Sequence, residues 1–152
     1  MQHLNFTSKE EYGLCAVMHL AMHESAWPIQ TREIAAAESI PEQFLEQVLA
    51  ALRRAQIVKS IRGASGGYEL ARSPRSITAG DVLRALSGAI APMPSSIDLA
   101  TSRPDKYDRR VVVELWQSIQ SAILHVVDNV TIQDMVDKRV SLELGSSFMM
   151  NI

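Results

Sequence analysis

Glu11, Cys15, His19 and His23 recur at every fourth position. On a helix this spacing lines a carboxylate, a thiol and two imidazoles along one stripe, a donor set that could hold a transition metal or carry redox chemistry. A plainer reading makes Cys15 a small buried hydrophobe and leaves the histidines exposed. A second constellation is basic. Arg53, Arg54, Lys59, Arg62, Arg72 and Arg75 stand against one acid, Glu69, a local charge of +5 in a 152-residue chain of formal net charge −2. Such a segment could meet phosphates, or remain a solvated basic face without a partner.

The chain's size and composition limit what can position these groups. Its 152 residues are 47% hydrophobic but only 5% aromatic, which suits one mainly helical domain, or a small domain with an assembly element. A single cysteine, Cys15, can build neither a disulfide framework nor a closed thiolate set for structural zinc. No apolar run is long enough to cross a bilayer, and no basic region followed by an apolar signal stretch opens the chain, so a cytoplasmic protein is expected. Nothing suggests a hydrolytic triad, a zinc-protease helix or a paired-carboxylate pocket, and no enzyme is expected.

Two overlapping capping boxes, Thr7 with Glu10 and Ser8 with Glu11, predict a first helix to about His23. Trp27 and Pro28 break it, and a short helix follows from a Thr31 cap to about Glu38. After a turn at Ser39 and Ile40, Pro41 marks the start of another helix, with Phe44, Leu45, Val48, Leu49 and Leu52 at helical spacing. These two helices make a helix-turn-helix. The period then changes: the stretch from Ile57 to Ile61 and that from Tyr68 to Ala71 flank a glycine-rich turn and predict a hairpin wing. A phosphate-cradling nucleotide loop is the competing reading, but no Gly-Lys-Ser/Thr ending follows. Thr78 and Asp81 start a short helix ending near Gly88.

Residues 89–107, with three prolines and several serines, predict a loop. From Asp108 a long helix carries an apolar stripe through Val112, Leu115, Trp116, Ile119, Ile123 and Val126. With a winged domain taken as complete at residue 88, this stripe predicts homodimerisation, the alternative being that it folds back on its own domain. The expected division is a winged helix-turn-helix domain at 1–88, a loop at 89–107, a dimerisation helix and short final helix at 108–140, and a tail at 141–152.

Several short motifs occur in order: Thr7, Ser8 and Lys9 with Tyr12, Gly13 and Leu14; Arg32 to Ala35; Phe44 to Gln47; Leu52 to Arg54; Ile61 to Gly63 with Gly66 to Tyr68; Gly80 to Leu86; and Leu115 with Trp116. Together, over residues 4–137, they resemble the Rrf2 family of bacterial winged-helix regulators. The resemblance implies homodimers that bind operator DNA, with repression the expected mode. A helix starting at Pro41 can enter a major groove, where Gln43 would pair with adenine and Glu46 with cytosine. Arg62, Gly63 and Ala64 would reach a minor groove, and the resemblance places contacts at the same positions. Thr7, Ser8, Lys9, Tyr12, Arg53 and Arg54 are further candidates for phosphate contacts.

The resemblance also bears on sensing. Iron-sulfur members carry three cysteines in the loop before the long helix; here Ser95, Ser96 and Asp98 lie near the first such position and Arg110 near the last. No conventional cluster, and no cofactor, is therefore expected. An atypical cluster or metal would have to use Glu11, Cys15 and perhaps His19, since Glu11 and Cys15 fall where a less common branch of the family has cluster ligands. Alternatively, the resemblance allows a signal delivered by a regulatory protein partner.

Overall fold

A computed structural model of the chain describes residues 7–90 and 107–149. Helix α1 (Ser8–Met22) begins at Thr7, whose N–H donates to Glu10 Oε2 at 2.8 Å, so the first of the two overlapping boxes is the one formed. The Trp27 indole N–H donates to the Leu20 carbonyl at 2.8 Å and helps to satisfy the helix's far end. Helix α2 (Thr31–Glu38) is capped by Gln30 rather than Thr31: the extended Gln30 already offers its carbonyl to the Glu33 and Ile34 N–H groups. Ser39, in the left-handed region at φ 55°, turns the chain into α3 (Glu42–Arg54), with Pro41 as its N-cap.

Strands β1 (Val58–Ile61) and β2 (Gly67–Leu70) form the antiparallel wing, pairing Val58 with Leu70 and Ile61 with Gly67. Helix α4 (Ala79–Ser87) starts in a complete capping box between Thr78 and Asp81. The long helix α5 (Tyr107–Asn129) and α6 (Ile132–Met149) follow. The architecture is thus mainly helical with a two-stranded wing, as the sequence suggests. Of the expected loop at 89–107, residues 91–106 lie outside the described residues, and with them Ser95, Ser96 and Asp98.

Two expectations for the C-terminal part are corrected. First, α6 is not short, because it continues to Met149 through most of the segment read as a tail. The hydroxyls of Ser141 and Ser146 bond back to the carbonyls of Asp137 and Leu142, and Arg139 pairs with Glu143 one turn on at 3.2 Å, so these polar residues are accommodated within the helix. Second, the core does not close at residue 88. Ile132 of α6 is as fully buried as Val17 and Leu20 of α1, Leu45 and Leu49 of α3, and Val82 of α4. Each such side chain contributes about 1.5 to 3 kcal/mol by leaving water. The final helix therefore belongs to the same packed unit as the winged segment.

Candidate nucleic-acid interface

Helix α3 is amphipathic because Leu45, Val48, Leu49 and Leu52 all turn inward and are fully buried. That burial fixes the opposite face, where Gln43 and Glu46 are exposed. Gln47 is exposed as well. It lies one turn beyond Gln43, on the same face of α3. Phe44 anchors the first turn by meeting the Tyr12 ring edge-on, with centroids 5.6 Å apart.

The wing is built by backbone geometry. Gly63 takes φ 116°, a conformation strained for other residues, and its carbonyl accepts from the Gly66 N–H at 3.0 Å. On the edge of β2 away from β1, Ile29 and Tyr68 exchange two backbone bonds of 2.9 and 2.8 Å, an antiparallel bridge that ties the hairpin to the segment before α2. A Cβ at Gly67 would run into the Ile29 carbonyl. Arg62, Gly63 and Ala64 stand exposed at the wing's tip.

The basic segment divides into paired and open charges. Lys59 is neutralised across the hairpin by Glu69 at 2.8 Å, and Arg72 turns to Asp81 at 3.4 Å. Arg53 makes one long hydrogen bond to Ser60 Oγ at 3.4 Å, joining the end of α3 to β1. Arg54 and Arg62 form no ion pair among the described residues. The exposed face of α3 and the wing thus share a boundary marked by accessible guanidinium groups, whose chemistry suits phosphate oxygens.

The candidates on α1 have more local tasks. Thr7 closes the capping box, and Lys9 Nζ donates to the Leu86 carbonyl at 2.7 Å, capping the end of α4. Ser8 is exposed, whereas Tyr12 is half-buried against Phe44.

The donor stripe does not assemble as one site. Glu11 is exposed, Cys15 is half-buried, and His19 is only 8% exposed, with Nδ1 lying 2.8 Å from Glu38 Oε1. His23 stacks on His19 at 4.4 Å and donates from Nδ1 to the His19 carbonyl. Among the described residues no three His, Cys, Asp or Glu side chains are placed to hold a metal ion. Burial pushes the Cys15 thiol above its ordinary pKa, and the nearby Glu38 and Glu11 carboxylates add to this against an opposing effect of Arg139. A thiol held in its protonated form is a poor ligand and nucleophile. With one cysteine in the chain, the residues do not fit a three-thiolate iron-sulfur cluster.

Along α5, Val113 and Val127 are buried, whereas Leu115 is 59%, Trp116 40% and Val126 59% exposed. Val112 and Ile119 are exposed beside them, and Ile123 is half-buried. Most of the stripe therefore does not fold back on its own subunit. Among the described residues no helix is long and apolar enough to cross a membrane.

Comparison with known proteins identifies this arrangement. The profile of the Rrf2 family, described as an iron-dependent transcriptional regulator, matches residues 6–138. The transcriptional regulator CymR of Bacillus subtilis is 38% identical over 132 residues, spanning 87% of this chain and 89% of that protein. The solved structure of CymR, the global cysteine regulator of B. subtilis, superposes with a TM-score of 0.76 at 36% identity, covering 90% of this chain and 98% of that one. T. potens IscR gives a TM-score of 0.72 at 34% identity, over 89% of this chain and 88% of its own. The named relatives are regulators, not enzymes. With the family match running over residues 6–138 and the wing and helix-turn-helix in place, the chain belongs to the Rrf2 family of transcriptional regulators.

Proposed function

We propose that the protein is a homodimeric, sequence-specific operator-binding regulator that acts as a repressor. The observation that carries this reading is the exposed face of α3, where Gln43 and Glu46 stand free beside a wing whose Arg62 has no ion-pair partner among the described residues. Gln43 and Glu46 read base edges, Gln47 adds a further polar contact, and Arg62 with the Gly63 and Ala64 backbone enters the minor groove. Arg53 and Arg54, with Ser8 and Tyr12 as lesser contributors, position the duplex through phosphates. Two copies pair through Val112, Leu115, Trp116, Ile119, Ile123 and Val126 of α5. The similarity to CymR and IscR supports this reading.

The donor set bears on the signal. One half-buried thiol and a histidine engaged by Glu38 make a conventional cluster unsuitable, which leaves a small molecule, a regulatory protein partner or atypical redox or metal chemistry at Cys15 as the input. Selection of duplexes from a random-sequence pool tests the central reading. Enrichment of a two-half-site sequence by the wild type, with preference relaxed at one base position in Gln43→Ala and at another in Glu46→Ala, is the expected result. Absence of any enriched sequence would overturn it, and an operator–reporter fusion whose expression falls with the regulator present distinguishes repression from activation.

A further inference from the structure

Arg72 lies just past β2, on the chain that leaves the wing. Its Nη1 donates to the Ser76 carbonyl at 3.1 Å, and its Nη2 reaches Asp81 Oδ2 at 3.4 Å. The other oxygen of the same carboxylate, Oδ1, faces Arg84 Nη2 at 3.7 Å, and that nitrogen also donates to Asp128 Oδ1 at 2.6 Å. Alternating charges therefore run from the base of the wing, through the first two turns of α4, to the last turn of α5. Asp81 also accepts from the Thr78 N–H at 3.2 Å, which ties its orientation to the start of α4.

The backbone keeps the two ends of this chain close. Ala79 donates to the Val130 carbonyl and Ile132 to the Ile77 carbonyl, both at 2.8 Å, clamping the α5–α6 corner to the entry of α4. Gly80 leaves room for the charges, since a Cβ there would strike the Asp128 carboxylate and press on the Arg84 guanidinium. The pairs are partly exposed, with side-chain exposures of 31 to 41%, and isolated pairs of that kind add little to stability. Their arrangement instead opposes rotation of the wing's base relative to α5, because each guanidinium has a direction-dependent set of donors.

We propose that Asp81 and Arg84 are positioning residues for operator binding, holding the wing at a fixed angle to α5 and thereby setting the half-site separation that a dimer accepts. The proposal rests on the dimeric operator-binding reading above. A rigid dimer must meet two half-sites about one DNA turn apart. Inserting one base pair displaces the second half-site by about 3.4 Å and rotates it about the duplex axis. A loosened link between wing and dimer helix tolerates that displacement, while a firm one does not.

The test uses the full-length protein and a two-half-site duplex selected by the wild type, together with the same duplex carrying one inserted base pair between its half-sites. The readout is the ratio of the two affinities, in which a lost phosphate contact cancels. The wild type should prefer the selected spacing at least tenfold. Asp128→Asn, Arg84→Met and Arg72→Met should each reduce that preference to threefold or less, and Arg84→Lys, which keeps the charge but lacks the planar donor fork, should reduce it as well, all with unchanged dimer mass and melting temperature. Should one variant fail to fold, the other two interrupt the same chain from different elements. Wild-type ratios in the folded variants would overturn the proposal while leaving operator binding by a dimer intact. Loss of preference only in variants that become monomers would overturn it too, by assigning the effect to subunit pairing. A wild type that binds no two-site duplex, or binds as a monomer, would overturn the underlying reading as well.

Discussion

The Tyr12 ring meets Phe44 edge-on, with centroids 5.6 Å apart and planes at 84°. This contact joins the first helix to the opening turn of the helix that presents Gln43 and Glu46. Such pairs contribute about 0.5 to 1.5 kcal/mol beyond the area they bury. Tyr12→Leu, which keeps most of the apolar bulk, should lower unfolding free energy by about that amount. Urea denaturation checks this, and an unchanged midpoint would show the contact to be energetically neutral.

The wing should be sensitive at Gly67. Any side chain there meets the Ile29 carbonyl, and relieving the clash breaks the Ile29–Tyr68 backbone pair or shifts the hairpin. Gly67→Ala should cost about 1 to 3 kcal/mol, in the range of overpacking substitutions. Amide hydrogen exchange should show Tyr68 losing protection before the α3 amides do.

Subunit pairing should fail when charge enters the α5 stripe. Ile119→Glu with Ile123→Glu should yield monomers by light scattering, because two carboxylates would be buried without partners. Operator affinity should fall with it by about 10²-fold to 10⁴-fold, as two linked half-site contacts become independent. An unchanged dimer mass would place the interface elsewhere.

Cys15 supplies a pH prediction. Its folded pKa is raised, mainly by burial, so the native protein retains the thiol proton at pH values where the unfolded chain has lost it. Alkylation of native protein should therefore follow a pH profile displaced upward from that of urea-unfolded protein. By linkage, the stability this contributes is complete below the unfolded pKa and lost as pH rises through the folded one. Coincident profiles would contradict the burial argument. Operator binding insensitive to oxidant in both wild type and Cys15→Ser would accord with a packing role.

Much of the fold was legible because it is set by neighbours in sequence. The Thr7–Glu10 and Thr78–Asp81 boxes, the apolar spacing of α3 and the glycine turn at Gly63 are local signals, and each forms. What escaped depends on distant partners. Lys9 caps α4 through Leu86, Ile29 bridges to the free edge of β2, and His19 leaves the donor stripe for Glu38. Spacing on α1 lines up Glu11, Cys15 and His19 but carries no information on which neighbouring helix will cover that stripe. The length of α6 was missed for a related reason: serines and a glycine weaken a helix in isolation, while packing of Ile132 and Val136 into the core anchors this one.

The most direct test of operator recognition is the affinity of wild type and Arg62→Ala for a selected duplex across a salt series. Arg62 is exposed at the wing and makes no ion pair among the described residues, so its charge is available to DNA. The account predicts weaker binding by Arg62→Ala at physiological salt and, where the guanidinium also neutralises a phosphate, a salt slope shallower by about one unit. Identical affinities and slopes for the two proteins would contradict the placement of the wing on DNA.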